Sequence, residues 1–132
     1  MSATEVMQTP FDRIGGAHVV RQIADRFYDL MDQEPDYAEL RALHAPDLAP
    51  MRESLTGFLI AWAGGPRDWF EQNPGVCMMS AHARIGVTAE TARQWCDAMG
   101  KAVEESPVDA ELGTKMMEAL ISIAQGMARR PH

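Results

Sequence analysis

The sequence has 132 residues, 46% of them hydrophobic and 23% charged, and a net charge of −7. This length and composition are typical of one globular domain with a single core. The acidic balance argues against nonspecific binding to nucleic acid or to an anionic membrane surface. Residues 1–9 show no periodicity, so we expect a loose tail there and a single domain over residues 10–132.

The cysteines and the amino-terminal residues indicate in which cellular compartment the protein is expected. Cys77 and Cys96 lack the CxxC spacing of a zinc site or a redox pair, so we expect both thiols to be free. The first residues lack the basic and apolar regions of a signal peptide, and no apolar run approaches membrane-spanning length. We therefore predict a cytoplasmic protein with neither a membrane nor a nucleic-acid partner.

Apolar residues recur at helical spacing from the start of the predicted domain. Residues 10–14 have the length of one helical turn, which Gly15 ends. The stripe over residues 17–32 predicts an amphipathic helix with Tyr28 at the edge of its apolar face. Without further context, a tyrosine at such an edge is more often interfacial, with its hydroxyl in water.

The middle of the chain predicts a short helix followed by a long one. Residues 37–43 have room for a short helix, which His44 and Pro46 close. Residues 47–63 predict the clearest helix, and Gly64-Gly65-Pro66 ends it. Its apolar face consists of Met51, Leu55, Phe58, Leu59 and Trp62.

Two more amphipathic helices are predicted in the last third of the chain, over residues 88–104 and 107–128. Thr88 is the expected N-cap of the first helix, whose apolar face comprises Ala92, Trp95, Cys96, Met99 and Val103. Ser106 and Pro107 are typical of the N-cap and first residue of the second, whose face comprises Leu112, Met116, Leu120, Ile123, Ala124 and Met127. No β-type alternation appears, so the predicted fold class is all-α.

His82 precedes a Gly-Val-Thr break, and the tryptophan helix follows it. A lone histidine is more often an ordinary core or surface residue than a metal ligand. Together with Trp62 to Pro66 and Trp95 to Met99, however, it resembles the proximal half of a group II truncated haemoglobin. The thirteen-residue spacing from His82 to Trp95 fits that family, and the resemblance extends from about residue 10 to about residue 127.

The sequence also departs from the family pattern in two places. Ala81 stands before His82, where family members often carry an arginine that contacts a haem carboxylate. The cysteine is displaced to Cys96, beside the tryptophan, and Ala98 stands where the family often has it.

The resemblance implies a two-over-two helical sandwich that holds haem b between its helix pairs. It makes His82 the iron ligand and Tyr28, His44 and Trp95 the residues around a bound ligand. Met51 would take the place of the distal histidine of classical globins, and it cannot donate a hydrogen bond. Further haem contacts implied in this way are Trp95, Leu55, Phe58, Met51, Met99 and Ile85, with Arg67 and Arg84 as candidate partners of the haem carboxylates.

The resemblance implies reversible binding of dioxygen, carbon monoxide, nitric oxide or similar small ligands. Redox catalysis of a nitric oxide dioxygenase or peroxidase kind, with a reductase partner, stays open as an extension. The alternative from a different class is a haem-free helical module that binds a partner protein through a methionine-rich face, since the chain has ten methionines.

Overall fold

The computed structural model describes residues 9–66, 71 and 87–129. Its elements are α1 (Pro10–Ile14), α2 (Ala17–Gln33), a 3-10 turn (Pro35–Tyr37), α3 (Ala38–Ala42), α4 (Ala49–Trp62), α5 (Ala89–Glu105) and α6 (Ala110–Arg129). Within these ranges no residue belongs to a β-strand, which confirms the all-α prediction. None of the helices described here combines the length and apolar character that crossing a bilayer requires.

Helix α2 lies at the centre of the fold. It packs against α4 on one side and α5 on another, and α5 packs in turn against α6. The pairs α2/α4 and α5/α6 form the predicted two-over-two sandwich. The largest fully buried side chains of its core are Val20, Ile23, Phe27, Met31, Tyr37, Leu59, Met99, Met116 and Leu120.

The start of the described chain is fastened to the end of α4. Thr9 caps α1 through a reciprocal capping box with Asp12, and the Phe11 amide donates to the Ala63 carbonyl at 2.8 Å. Gly64 has a φ of +93°, a left-handed conformation that favours glycine. At Gly65 a Cβ would lie 2.7 Å from the Phe11 ring. Gly64 therefore allows the chain to turn at the end of α4, and the absence of a side chain at Gly65 leaves space for the Phe11 ring.

The prediction for the start of the last helix was wrong. Helix α6 begins at Ala110, because the Asp109 carboxylate accepts a hydrogen bond from the Leu112 amide at 2.9 Å and so caps the first turn. Ser106 instead ends α5, and its hydroxyl donates to the Val103 carbonyl at 2.6 Å. The other long helices begin and end within two residues of their predicted limits, and Thr88 caps α5 as predicted.

Side-chain hydrogen bonds join α3 and the preceding turn to α5. The Leu40 amide donates to Gln94 Oε1 at 3.1 Å, and the Gln94 side chain donates in turn to Glu90 at 3.0 Å. Gln94 is only 3% exposed. The hydroxyl of Tyr37 donates to Asp97 Oδ2 at 2.6 Å. These bonds fix the corner after α2 against the helix that carries Trp95.

Replacing Gln94 with Leu is expected to lower the free energy of unfolding by about 1–3 kcal/mol, since the buried Leu40 amide loses its acceptor. Chemical denaturation of the wild type and the variant measures this. Arg93→Ala, at the exposed neighbouring position, is the control and should leave the denaturation midpoint almost unchanged. Equal midpoints for the wild type and Gln94→Leu would contradict the role given to this bond.

Candidate ligand-binding site

An aromatic cluster joins α2 to α5. Phe27 has no exposed surface, and its ring lies 4.9 Å from the Tyr28 ring and 5.4 Å from the Trp95 ring, centroid to centroid. Both contacts are edge-to-face, the arrangement that aromatic quadrupoles favour. Tyr28 and Trp95, which are 67 positions apart in the sequence, thus pack on one buried ring.

Tyr28 is a buried phenol rather than an interfacial one. Its side chain is part of the core and the residue is 6% exposed. Among the described residues, none forms a hydrogen bond with its hydroxyl. Burial raises the pKa of Tyr28 well above its ordinary value, and the positive charge of Arg52 opposes that rise. The phenol therefore stays protonated at physiological pH and can act as a hydrogen-bond donor.

His44 lies beside Tyr28, with 6.0 Å between their ring centroids. Its Nδ1 is 2.9 Å from the Leu40 carbonyl oxygen, which can only accept, so Nδ1 carries the hydrogen. In the neutral ring Nε2 is then an acceptor, and only the imidazolium form can donate from it. Because Gln94 holds the amide of the same Leu40 residue, the position of His44 depends on α5 as well as on α3.

The predicted apolar wall is only partly buried. Leu55 on α4 is buried, while Met51 and Phe58 on the same helix, and Trp95 on α5, pack against the core and remain partly exposed. Met99 is fully buried. Large apolar side chains of this kind on helices that flank α2 fit the contact surface of a flat, apolar cofactor.

Several predicted site residues cannot be compared with the structure. His82, which was predicted to bind the metal, lies outside the described residues, as do Ile85, Arg67, Arg84 and Cys77. Cys96 is described, and its half-buried thiol is free, as expected. Burial raises the pKa of that thiol above its ordinary value.

Two residues near the site were missed in the sequence. Gln94 falls on the buried stripe of α5, four residues before Ala98. The periodicity therefore marks it as buried, but the predicted stripe included apolar residues alone. Arg52 binds Asp25 and Asp29, which are 27 and 23 residues earlier in the chain. The only hint of that contact was the pair of aspartates on either side of Tyr28 in the predicted helix.

The fold and the aromatic site together define a truncated globin. The family model described as bacterial-like globin matches residues 9–129, and the chain belongs to that family. It is a truncated haemoglobin of group II, as the following similarities support.

Three solved structures resemble this one closely. The group II 2-on-2 haemoglobin of the plant pathogen Agrobacterium tumefaciens is 26% identical, with a TM-score of 0.90 over 99% of this chain and 100% of that one. The haemoglobin of the thermophilic phototrophic bacterium Chloroflexus aurantiacus is 28% identical, with a TM-score of 0.84 over 93% and 99%. The group II truncated haemoglobin of Bacillus anthracis is 26% identical, with a TM-score of 0.84 over 95% and 94%.

Proposed function

We propose that this globin holds haem b and reversibly binds dioxygen and other small diatomic ligands, including carbon monoxide and nitric oxide. Membership of the globin family implies a haem cofactor. When bound, haem would supply an iron atom that can coordinate a small ligand. The observation that carries the proposal is the burial of a protonated phenol, Tyr28, in one aromatic cluster with the indole of Trp95.

The residues that would hold the cofactor come from both helix pairs. Leu55, Phe58 and Met51 on α4, with Trp95 and Met99 on α5, would supply the apolar contacts. We assign the iron ligand to His82 on its sequence spacing to Trp95, since a neutral imidazole is a common iron ligand. Ile85 would add an apolar contact, and the proposed partners of the haem carboxylates are Arg67 and Arg84.

We assign two hydrogen-bond donors to the side of the site where a small ligand would bind. Dioxygen gains partial negative charge when it binds, so donors in a dry pocket hold it more strongly than carbon monoxide, which carries little charge. Tyr28 can donate through its hydroxyl and Trp95 through its indole N–H. Met51 cannot donate, and neutral His44 keeps its hydrogen on Nδ1. Tyr28 and Trp95 would therefore control the rate of ligand release.

Among the methionines that the structure describes, burial counts against the alternative of a haem-free interaction module. That alternative needs a methionine-rich surface, but Met31, Met99 and Met116 are buried in the core. Met51 and Met117 are partly exposed and lie on different helices. The site therefore favours ligand binding over partner docking.

Replacing His82 with Gly is expected to abolish the five-coordinate ferrous absorption spectrum, because no other imidazole is assigned to the iron. Added imidazole should restore it by taking the place of the missing side chain. His44→Ala is the matched control, since His44 is the histidine assigned to the ligand side, and it should keep the wild-type ligation. A His82→Gly protein that retains the wild-type spectrum without imidazole would refute the assignment.

Replacing Tyr28 with Phe, or Trp95 with Phe, is expected to speed dioxygen release by about ten- to a hundredfold, the effect of one hydrogen bond to a partly charged acceptor. Carbon monoxide release should change much less. Stopped-flow measurements on both variants and their double mutant test this.

Tyr37→Phe is the control for these variants, since it deletes the hydroxyl of the other tyrosine, which donates to Asp97 instead. Its dioxygen release should match that of the wild type. Unchanged release from Tyr28→Phe, Trp95→Phe and the double mutant would show that neither side chain holds the ligand.

A further inference from the structure

Arg52 reaches from α4 to the turn of α2 that carries Tyr28. Its Nη1 donates to the carbonyl oxygen of Asp25 at 3.0 Å and to the carboxylate of the same residue at 3.2 Å. Its Nη2 donates to Asp29 Oδ1 at 2.8 Å. Asp25 and Asp29 lie three residues before and one residue after Tyr28, so one guanidinium spans the backbone turn around the phenol.

The same guanidinium lies over the phenol ring. Its central carbon is 5.9 Å from the centroid of the Tyr28 ring, within the range of a cation–π contact. The Arg52 side chain is only 23% exposed, so water screens this contact less than it would at an open surface. The charge also lowers the pKa of Tyr28, against the larger and opposite effect of burial.

We propose that Arg52 is a positioning residue for Tyr28, which it holds in place on α2 and makes a stronger hydrogen-bond donor toward a ligand in the pocket. The inference rests on the proposed function of Tyr28. The physical reason is that a nearby positive charge stabilises negative charge on the phenol oxygen, and thereby strengthens the hydrogen bond that the hydroxyl donates.

Arg21 provides a matched control because it belongs to the same group of charges. Its Nε donates to Asp25 at 3.2 Å and its Nη1 to Glu53 at 2.7 Å, so it also joins α2 to α4. No ring contact with Tyr28 is found for Arg21 among the described residues. An effect on Tyr28 that is seen with Arg52 but not with Arg21 therefore does not follow from the loss of a charged link between α2 and α4 as such.

The first test is a double-mutant cycle on dioxygen release from the haem-loaded protein, with Arg52→Met and Tyr28→Phe as its single variants. Arg52→Met keeps an unbranched side chain but removes the charge, and it should speed release by about two- to fivefold, the size of a partly shielded cation–π contact. In the Tyr28→Phe background the same change should have almost no effect, because the hydroxyl is already gone. Arg21→Met should leave release unchanged.

Arg52→Lys keeps the charge but loses the fork of parallel hydrogen bonds, so its effect should be smaller than that of Arg52→Met and in the same direction. It also replaces Arg52→Met in the cycle if the methionine variant does not fold.

The second test reads Tyr28 directly. The tyrosines are labelled with ¹³C at Cζ, the ring carbon that bears the hydroxyl, and the protein is studied as its carbon monoxide complex. Because the chain has two tyrosines, two NMR signals are expected, and the one that Tyr28→Phe removes belongs to Tyr28. Arg52→Met should move the Tyr28 signal and leave that of Tyr37, which donates to Asp97, in place. Arg21→Met should move neither signal.

The outcomes separate this inference from the function on which it rests. If Tyr28→Phe alone does not change dioxygen release, the proposed role of Tyr28 fails. If Tyr28→Phe speeds release, but Arg52→Met has the same effect in both backgrounds and leaves the Tyr28 signal unmoved, then Arg52 only joins the helices and the inference is overturned.

Discussion

Phe27 has no exposed surface, and its packing against Tyr28 and Trp95 is the contact on which the rest of the site depends. It lies on α2, the helix that contacts both α4 and α5, and so fixes the two polar aromatic side chains relative to each other. Loss of this ring would leave a cavity at the centre of the fold and free the two donors to move separately. Phe27 therefore contributes to the stability of the core and also fixes the positions of Tyr28 and Trp95.

Charge around the phenol adds a second constraint. The chain is strongly acidic, and Asp25 and Asp29 lie beside Tyr28 on α2. Arg52 binds both carboxylates and faces the ring as well. One arginine thus brings a positive charge to the Tyr28 ring and links α4 to the turn of α2 that carries it.

The fold could be predicted largely from apolar periodicity, because α2, α5 and α6 each bury one continuous apolar stripe, while the stripe of α4 is partly buried. The Thr88 cap could also be predicted, because it is a local contact: the hydroxyl accepts from the amide of Thr91, three residues later. The start of α6 was missed because Ser106-Pro107 is a good local helix start, yet Ser106 is used to end α5 and Asp109 caps the next helix.

The site could be predicted less completely from the sequence than the fold. Tyr28 and His44 were found through the family resemblance, since neither residue alone differs from a surface tyrosine or a loop histidine. Gln94 and Arg52 were missed because their partners lie far away in the chain, at Leu40 and at Asp25 and Asp29. Local patterns can mark such residues as buried or charged, but they do not identify their partners, since these contacts arise only when the helices pack.

The absorption spectrum of the purified protein in its ferric, deoxy-ferrous and carbon monoxide forms tests the central claim most directly. A haem protein whose iron is held by one histidine should show a Soret band in all three states. Its ferrous form should be five-coordinate, and carbon monoxide should shift it to a six-coordinate spectrum. A protein that is purified without a Soret band and gains none when haem is added would contradict the account.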